Sequence, residues 1–262
     1  MSATAEPDPT PAGWGRWQPG ELSPRAWAMD DGRLWAHWQG NTLRLAGRTG
    51  PSPDADTPPA DLPWLTVQPS GPARDLDLRP ALPDLPLLAH CAGMLDLPAG
   101  GEVRLALWLP LRVQVRPPDG GAPWLDLPLR RLRRTWAGTP RAGELCYTLH
   151  AADPPEDPAH TGLALCPVRL CNRGDSPLRL DRVLVPALSL TLYGTAQLLV
   201  TDELVMQLST DGLGTQETAG TPPPEAPGAR RLAEPQQALS GGLLGRTLVS
   251  LRELPGAWRP RG

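Results

Sequence analysis

Leu163-Ala-Leu-Cys-Pro-Val-Arg-Leu-Cys171 and Leu178-Arg-Leu-Asp-Arg-Val-Leu-Val185 stand on either side of Asn172-Arg-Gly-Asp-Ser-Pro177. Two short apolar runs around a cluster of turn formers predict two strands joined by a hairpin turn. Residues 187–193 follow, turn through Gly194 and lead into 197–209. In that last run Leu198, Val200, Leu204, Met206 and Leu208 share one face, and Asp202 interrupts it. Many short strands with closely spaced turn signals are the mark of a sandwich or a barrel.

The same reading extends upstream. Glu102-Val-Arg-Leu-Ala-Leu-Trp-Leu109 puts Val103, Leu105, Leu107 and Leu109 on one face, and Leu111-Arg-Val-Gln-Val115 alternates with period two. Residues 125–136 and 144–150 predict two more strands. Arg33-Leu-Trp-Ala-His-Trp38 and Thr42-Leu-Arg-Leu-Ala46 flank Gln39-Gly40-Asn41 and predict a hairpin. A short strand is expected at 64–68. The fold class expected is therefore all-β, an antiparallel β-sandwich of one large or two small lobes, with a short C-terminal helix. That helix is read at 243–254, where Leu244, Leu248 and Leu251 recur at helical spacing and Pro255-Gly256 ends the run. Residues 1–20 read as a disordered tail, 21–234 as the sandwich domain and 235–262 as the segment carrying the helix. A boundary between two lobes would fall in the Pro-rich stretches 116–124 or 151–161.

Composition limits the function classes. The 262 residues include 35 Pro and no Lys, Ile or Phe, so Leu, Val and Trp carry the apolar positions. All 25 basic residues are arginine and the net charge is -3, which argues against a general nucleic-acid binder. No stretch has the length of a transmembrane helix and none reads as an export signal, so a soluble cytoplasmic protein with reduced thiols is expected.

Candidate chemistry is sparse. The absence of Lys removes Schiff-base catalysis and the P-loop lysine. Gly212-Leu-Gly214 and Gly241-Gly242 fit no phosphate-binding pattern, and there is no nucleophile elbow. Cys91, Cys146, Cys166 and Cys171 include no C-x-x-C pair, and Cys166 and Cys171 fall on opposite faces of one strand. They read as small hydrophobes rather than zinc ligands. His150, Asp153, Glu156, Asp157 and His160 could in principle ligate a metal, but they lie in a Pro-rich loop without a supporting shell. No catalytic, metal or cofactor-binding residue is expected, and no cofactor. Arg173-Gly174-Asp175 sits in the expected hairpin turn and implies no adhesion role.

Two surfaces remain. Arg130-Arg131-Leu-Arg133-Arg134 could grip phosphate. On a strand its arginines project to both faces, so they read as a solvated face or a charge-protected edge. Trp14, Trp17, Trp27, Trp35, Trp38 and Trp64 crowd the N-terminal quarter. Core bulk is the first reading of these rings, and a stacking platform for sugars is the alternative.

One stretch is familiar. Arg133-Arg-Thr-Trp-Ala-Gly-Thr-Pro140, Gly143-Glu-Leu-Cys-Tyr147, Cys166-Pro-Val-Arg-Leu-Cys-Asn-Arg-Gly-Asp-Ser-Pro-Leu178 and Leu190-Thr-Leu-Tyr193 resemble the bacterial branch of domain-of-unknown-function family 432. Ala137 departs from the aromatic expected beside Trp136, and loop 151–161 is more Pro-rich and acidic than in relatives. The resemblance implies no established activity and no catalytic residues. The family's genes often neighbour those of small-conductance mechanosensitive channels, which implies an accessory role on the cytoplasmic side of such a channel. The functional expectation is a non-catalytic interaction or accessory module. Its partner is such a channel or another protein, with peripheral membrane contact and no nucleic acid. Arg133, Arg134 and Trp136, with Leu244, Leu248 and Leu251 of the helix, form the candidate partner surface. A carbohydrate- or small-ligand-binding sandwich is the alternative, and a metal- or carboxylate-dependent hydrolase the third reading.

Overall fold

The computed structural model describes residues 11, 13–51, 56–69, 71, 74–150, 154–158, 161–209 and 214–239. Along the chain the described strands are β1 (Gly15–Trp17), β2 (Arg25–Met29), β3 (Gly32–Gln39), β4 (Thr42–Thr49), β5 (Leu65–Val67), β6 (Leu76–Ala81), β7 (Leu87–Leu97), β8 (Glu102–Pro110), β9 (Arg112–Arg116) and β10 (Leu125–Pro128). There follow β11 (Arg133–Thr139), β12 (Ala142–His150), β13 (Leu163–Asn172), β14 (Leu178–Val185), β15 (Leu192–Gly194), β16 (Leu199–Thr201), β17 (Leu204–Leu208), β18 (Gly214–Thr218) and β19 (Arg230–Ala233). No α-helix occurs among the described residues. The expected C-terminal helix, with Leu244, Leu248 and Leu251, lies outside them.

Four sheets form. The first runs β1-β6-β9-β10 and the second β2-β3-β4-β5, both antiparallel throughout. The third runs β11-β12-β7-β14, with β12 and β7 parallel. The fourth runs β18-β17-β13-β16-β15-β19, with β8 antiparallel along the other side of β13. One buried cluster collects side chains from all four sheets, among them Leu43, Leu78, Val113, Val185 and Leu170. Fully burying an aliphatic side chain contributes about 1.5–3 kcal/mol, so these inward faces hold the sheets together. The alternation read over 102–115 is realised as β8 and β9. The hairpin read over 33–46 is realised as β3 and β4 around Gly40, whose φ of 62° suits the turn.

Four local expectations are revised. Residues 125–136 are two strands, not one. Pro128 has no N–H to continue a ladder, and the chain bends at Leu129 and Arg130. Leu129 is fully buried there, and its backbone N–H donates to the Leu111 carbonyl at 3.0 Å. β13 and β14 do not form a hairpin: the 172–177 turn hands the chain from the fourth sheet to the third. Residues 197–209 break at Asp202 into β16 and β17, which lie end to end along the same side of β13. Trp14 is buried and β1 pairs with β6, inside the stretch read as a tail, because a Trp ring has too much apolar surface to leave in water.

The tryptophan question is answered by packing. Trp14, Trp27, Trp35 and Trp38 are buried, and Trp14 and Trp27 rings tilt against each other at 5.9 Å. Trp64 is half-buried between the His37 ring and the Arg44 guanidinium. These rings supply core bulk in a chain without Phe.

Candidate functional site

The bend between β10 and β11 borders a concavity. A groove of about 660 Å³ is lined by Arg112, Arg130, Arg131, Arg133 and Arg134, with Asp84, Tyr147 and prolines completing the wall. On an unbroken strand these arginines would point to both faces. The chain bends at Leu129 and Arg130, and Arg130, Arg131, Arg133 and Arg134 all border this space, although Arg133 and Arg134 are consecutive in β11 and take opposite faces of the hairpin.

Three of the five guanidinium groups are held in place. Arg112 bridges two carboxylates, Asp84 at 2.8 Å and Asp126 at 2.8 Å. Tyr147 donates its hydroxyl to the same Asp84 oxygen at 3.1 Å. Arg130 makes a two-pronged pair with Asp30. Arg131 donates to the Thr49 carbonyl at 2.9 Å and lies against Gly50. Thr49 also donates its hydroxyl to the Pro128 carbonyl, which ties β4 to the bend. Among the described residues, the side chains of Arg133 and Arg134 have no carboxylate partner, and the groove carries a positive excess. Guanidinium groups offer forked donors that match carboxylates and other oxyanions.

The groove opens beside an apolar shoulder. Trp136 and Leu145 are register partners across the β11–β12 hairpin and are 50% and 42% exposed. Arg134, Trp136, Leu145 and Tyr147 share one face of the hairpin, as the pairing of Arg134 with Tyr147 requires. Tyr147 continues that face into the core, whereas Trp136 and Leu145 stand beyond it. The opposite face packs Ala137 and Cys146 against Leu88 and Leu184. The sequence reading named Arg133, Arg134 and Trp136; Arg133 and Arg134 border the groove, and Trp136 lies on β11 outside its lining. It missed Arg112, which arrives from β9 and carried no local signal.

Elsewhere the candidate chemistry disperses. Burial raises all four thiols, Cys166 to about 12, so none is a thiolate at neutral pH. His150 pairs with His90 across the third sheet rather than with Glu156 or Asp157. Asp153 and His160 lie outside the described residues. Burial, then Arg182 and His150, hold His90 below the ordinary imidazole range. Among the described residues no group of three or more His, Cys, Asp or Glu side chains is placed to hold a metal ion. No helix among them is long and apolar enough to cross a membrane.

No curated protein and no solved structure matches the chain. A family model described as "Protein of unknown function (DUF432)" matches residues 13–251. With all of its described strands inside that match, the chain belongs to the DUF432 family.

Proposed function

We propose that this protein is a non-catalytic interaction module that docks an acidic segment of a partner protein in the arginine-lined groove. The observation that carries the reading is the groove bordered by five arginines, of which three are anchored and two, Arg133 and Arg134, have no carboxylate partner among the described residues. Anchored guanidinium groups lose little freedom when a ligand arrives, which favours binding. Trp136 and Leu145 supply an apolar anchor next to the charges. Attraction of opposite charges sets orientation and encounter rate, and the neighbouring rings supply desolvated contact.

The family's gene neighbourhood suggests the partner: a small-conductance mechanosensitive channel, reached from its cytoplasmic side. The test uses the full chain as bait on detergent-solubilised native membranes, beside an Arg133→Glu/Arg134→Glu variant. Recovery of the channel by the wild type and its loss with the variant is the expected result. A short glutamate-rich peptide with one Leu anchor is titrated in parallel, and its affinity should fall steeply as salt rises. Equal peptide binding by wild type and variant would end the groove reading. Peptide binding without channel recovery would end only the channel assignment.

A further inference from the structure

On the outer face of the third sheet, away from the groove, three side chains form a row across β12, β7 and β14. His150 is the register partner of His90, and His90 is the register partner of Arg182. The two imidazole rings have centroids 5.2 Å apart and planes 25° from parallel. His150 is exposed and His90 half-buried, so the pair is open to solvent. Arg182 donates to both oxygens of Asp181, at 3.0 and 2.9 Å. Asp181 offsets part of the guanidinium charge beside the rings, although Arg182 still acts on His90.

We infer that His90 and His150 form a two-imidazole site for a divalent transition-metal ion of borderline softness. Imidazole nitrogen is the preferred donor of zinc, nickel and copper(II) and a poor one for magnesium or calcium. With a metal–nitrogen distance of roughly 2.0–2.1 Å, two imidazoles on one tetrahedral ion stand with ring centres about 5 Å apart. The observed separation already matches. The χ2 torsion of His is broad, so a turn of each ring aims its nitrogen at the common point without moving the backbone. Parallel pairing of β12 and β7 fixes both Cα positions, so the chelate is largely preorganised by the sheet. Water completes the coordination sphere, which makes the site open rather than structural.

The test titrates zinc alone into tag-free full-length protein by calorimetry, beside His90→Gln, His150→Gln and the double variant. Wild type should bind one ion per chain at least ten-fold more tightly than any of the three. Copper(II) added to wild type should give a resonance spectrum with coupling to two imidazole nitrogens. Both replacements lie on the outer face and should leave the circular dichroism unchanged, and His150→Asn serves as a second exposed replacement. Zinc binding by the double variant as tight as by wild type, or loss in only one single variant, overturns the site. So does a copper spectrum lacking the paired nitrogen coupling.

Discussion

Asp30 and Arg130, a hundred residues apart, close a two-pronged ion pair, Nε to Oδ2 and Nη2 to Oδ1, both at 2.9 Å. Asp30 sits in the turn between β2 and β3 with φ of 51°, and its Oδ2 also accepts the backbone N–H of Gly162 at 3.2 Å. One carboxylate thus ties that turn, the β10–β11 bend and the approach to β13. The bend leads directly into Arg133 and Arg134, which border the groove. Asp30→Ala removes both prongs and places a Cβ residue without local hydrogen bonding in left-handed backbone. We expect a loss of about 1–3 kcal/mol, limited by the 38% exposure of the Arg130 side chain. Asp30→Asn tolerates the backbone conformation and should lose less. Urea unfolding checks both, as a lowered midpoint at unchanged slope.

The strands were legible where one face is buried and the other wet. Val103 to Val115 alternate so cleanly that β8 and β9 follow from period two alone. Pairing was not legible. Turn chemistry at 172–177 specifies a reversal of direction, but not whether β14 rejoins β13 or joins another sheet. The arginine groove was half legible. Arg133 and Arg134 could be named, but Arg112 and Tyr147 reach the same space from other strands. His90 and His150 meet through a parallel register sixty residues apart, and no local pattern signals such a pairing.

Asn172 is the second tie that local reading undervalued. It is fully buried at the sheet-switching turn. Its amide nitrogen donates to the carbonyls of Leu97, Pro98 and Ser176 at 3.1, 2.9 and 2.9 Å. Its amide oxygen accepts the N–H of Gly174 at 3.0 Å. Asn172→Ala strands several buried polar groups and should cost on the order of 3 kcal/mol. Asn172→Asp turns the donor into a charged acceptor facing three carbonyls and should cost more. Thermal melts rank the pair, and a variant ranking of Ala below Asp contradicts the assigned hydrogen bonds.

Gly143 makes room for the apolar shoulder. A Cβ there would stand 2.3 Å from the Trp136 indole nitrogen and 2.4 Å from the Ala137 carbonyl oxygen. The indole could swing away, but the carbonyl belongs to the paired strand and cannot. Gly143→Ala should therefore displace Trp136, open the β11–β12 pairing and destabilise by about 1–3 kcal/mol. Trp136→Ala, at a half-exposed position, should change stability by less than about 1 kcal/mol. The contrast is read by paired denaturation curves. Equal losses would mean that the ring, rather than the backbone fit, holds the hairpin.

Asp202 explains why one acid interrupts an apolar run. Its carboxylate accepts the N–H of Thr191 at 3.0 Å and of Gly220 at 3.3 Å, and closes the break between β16 and β17. Burial raises its pKa above the ordinary 3.8, and these hydrogen bonds, with one from Thr218, pull the other way. A carboxyl with a raised folded pKa adds stability in its protonated form. That contribution is full below about 3.8 and is lost as pH rises through the folded value. Asp202→Asn cannot titrate, and its lost acceptor is a constant offset at every pH. The midpoint difference between wild type and Asp202→Asn should therefore move against the wild type as pH rises from the ordinary 3.8 through the raised folded value. Urea unfolding at several pH values measures it directly. A difference that stays flat would show that the hydrogen bonds offset burial completely and that the carboxylate is ionised at no cost.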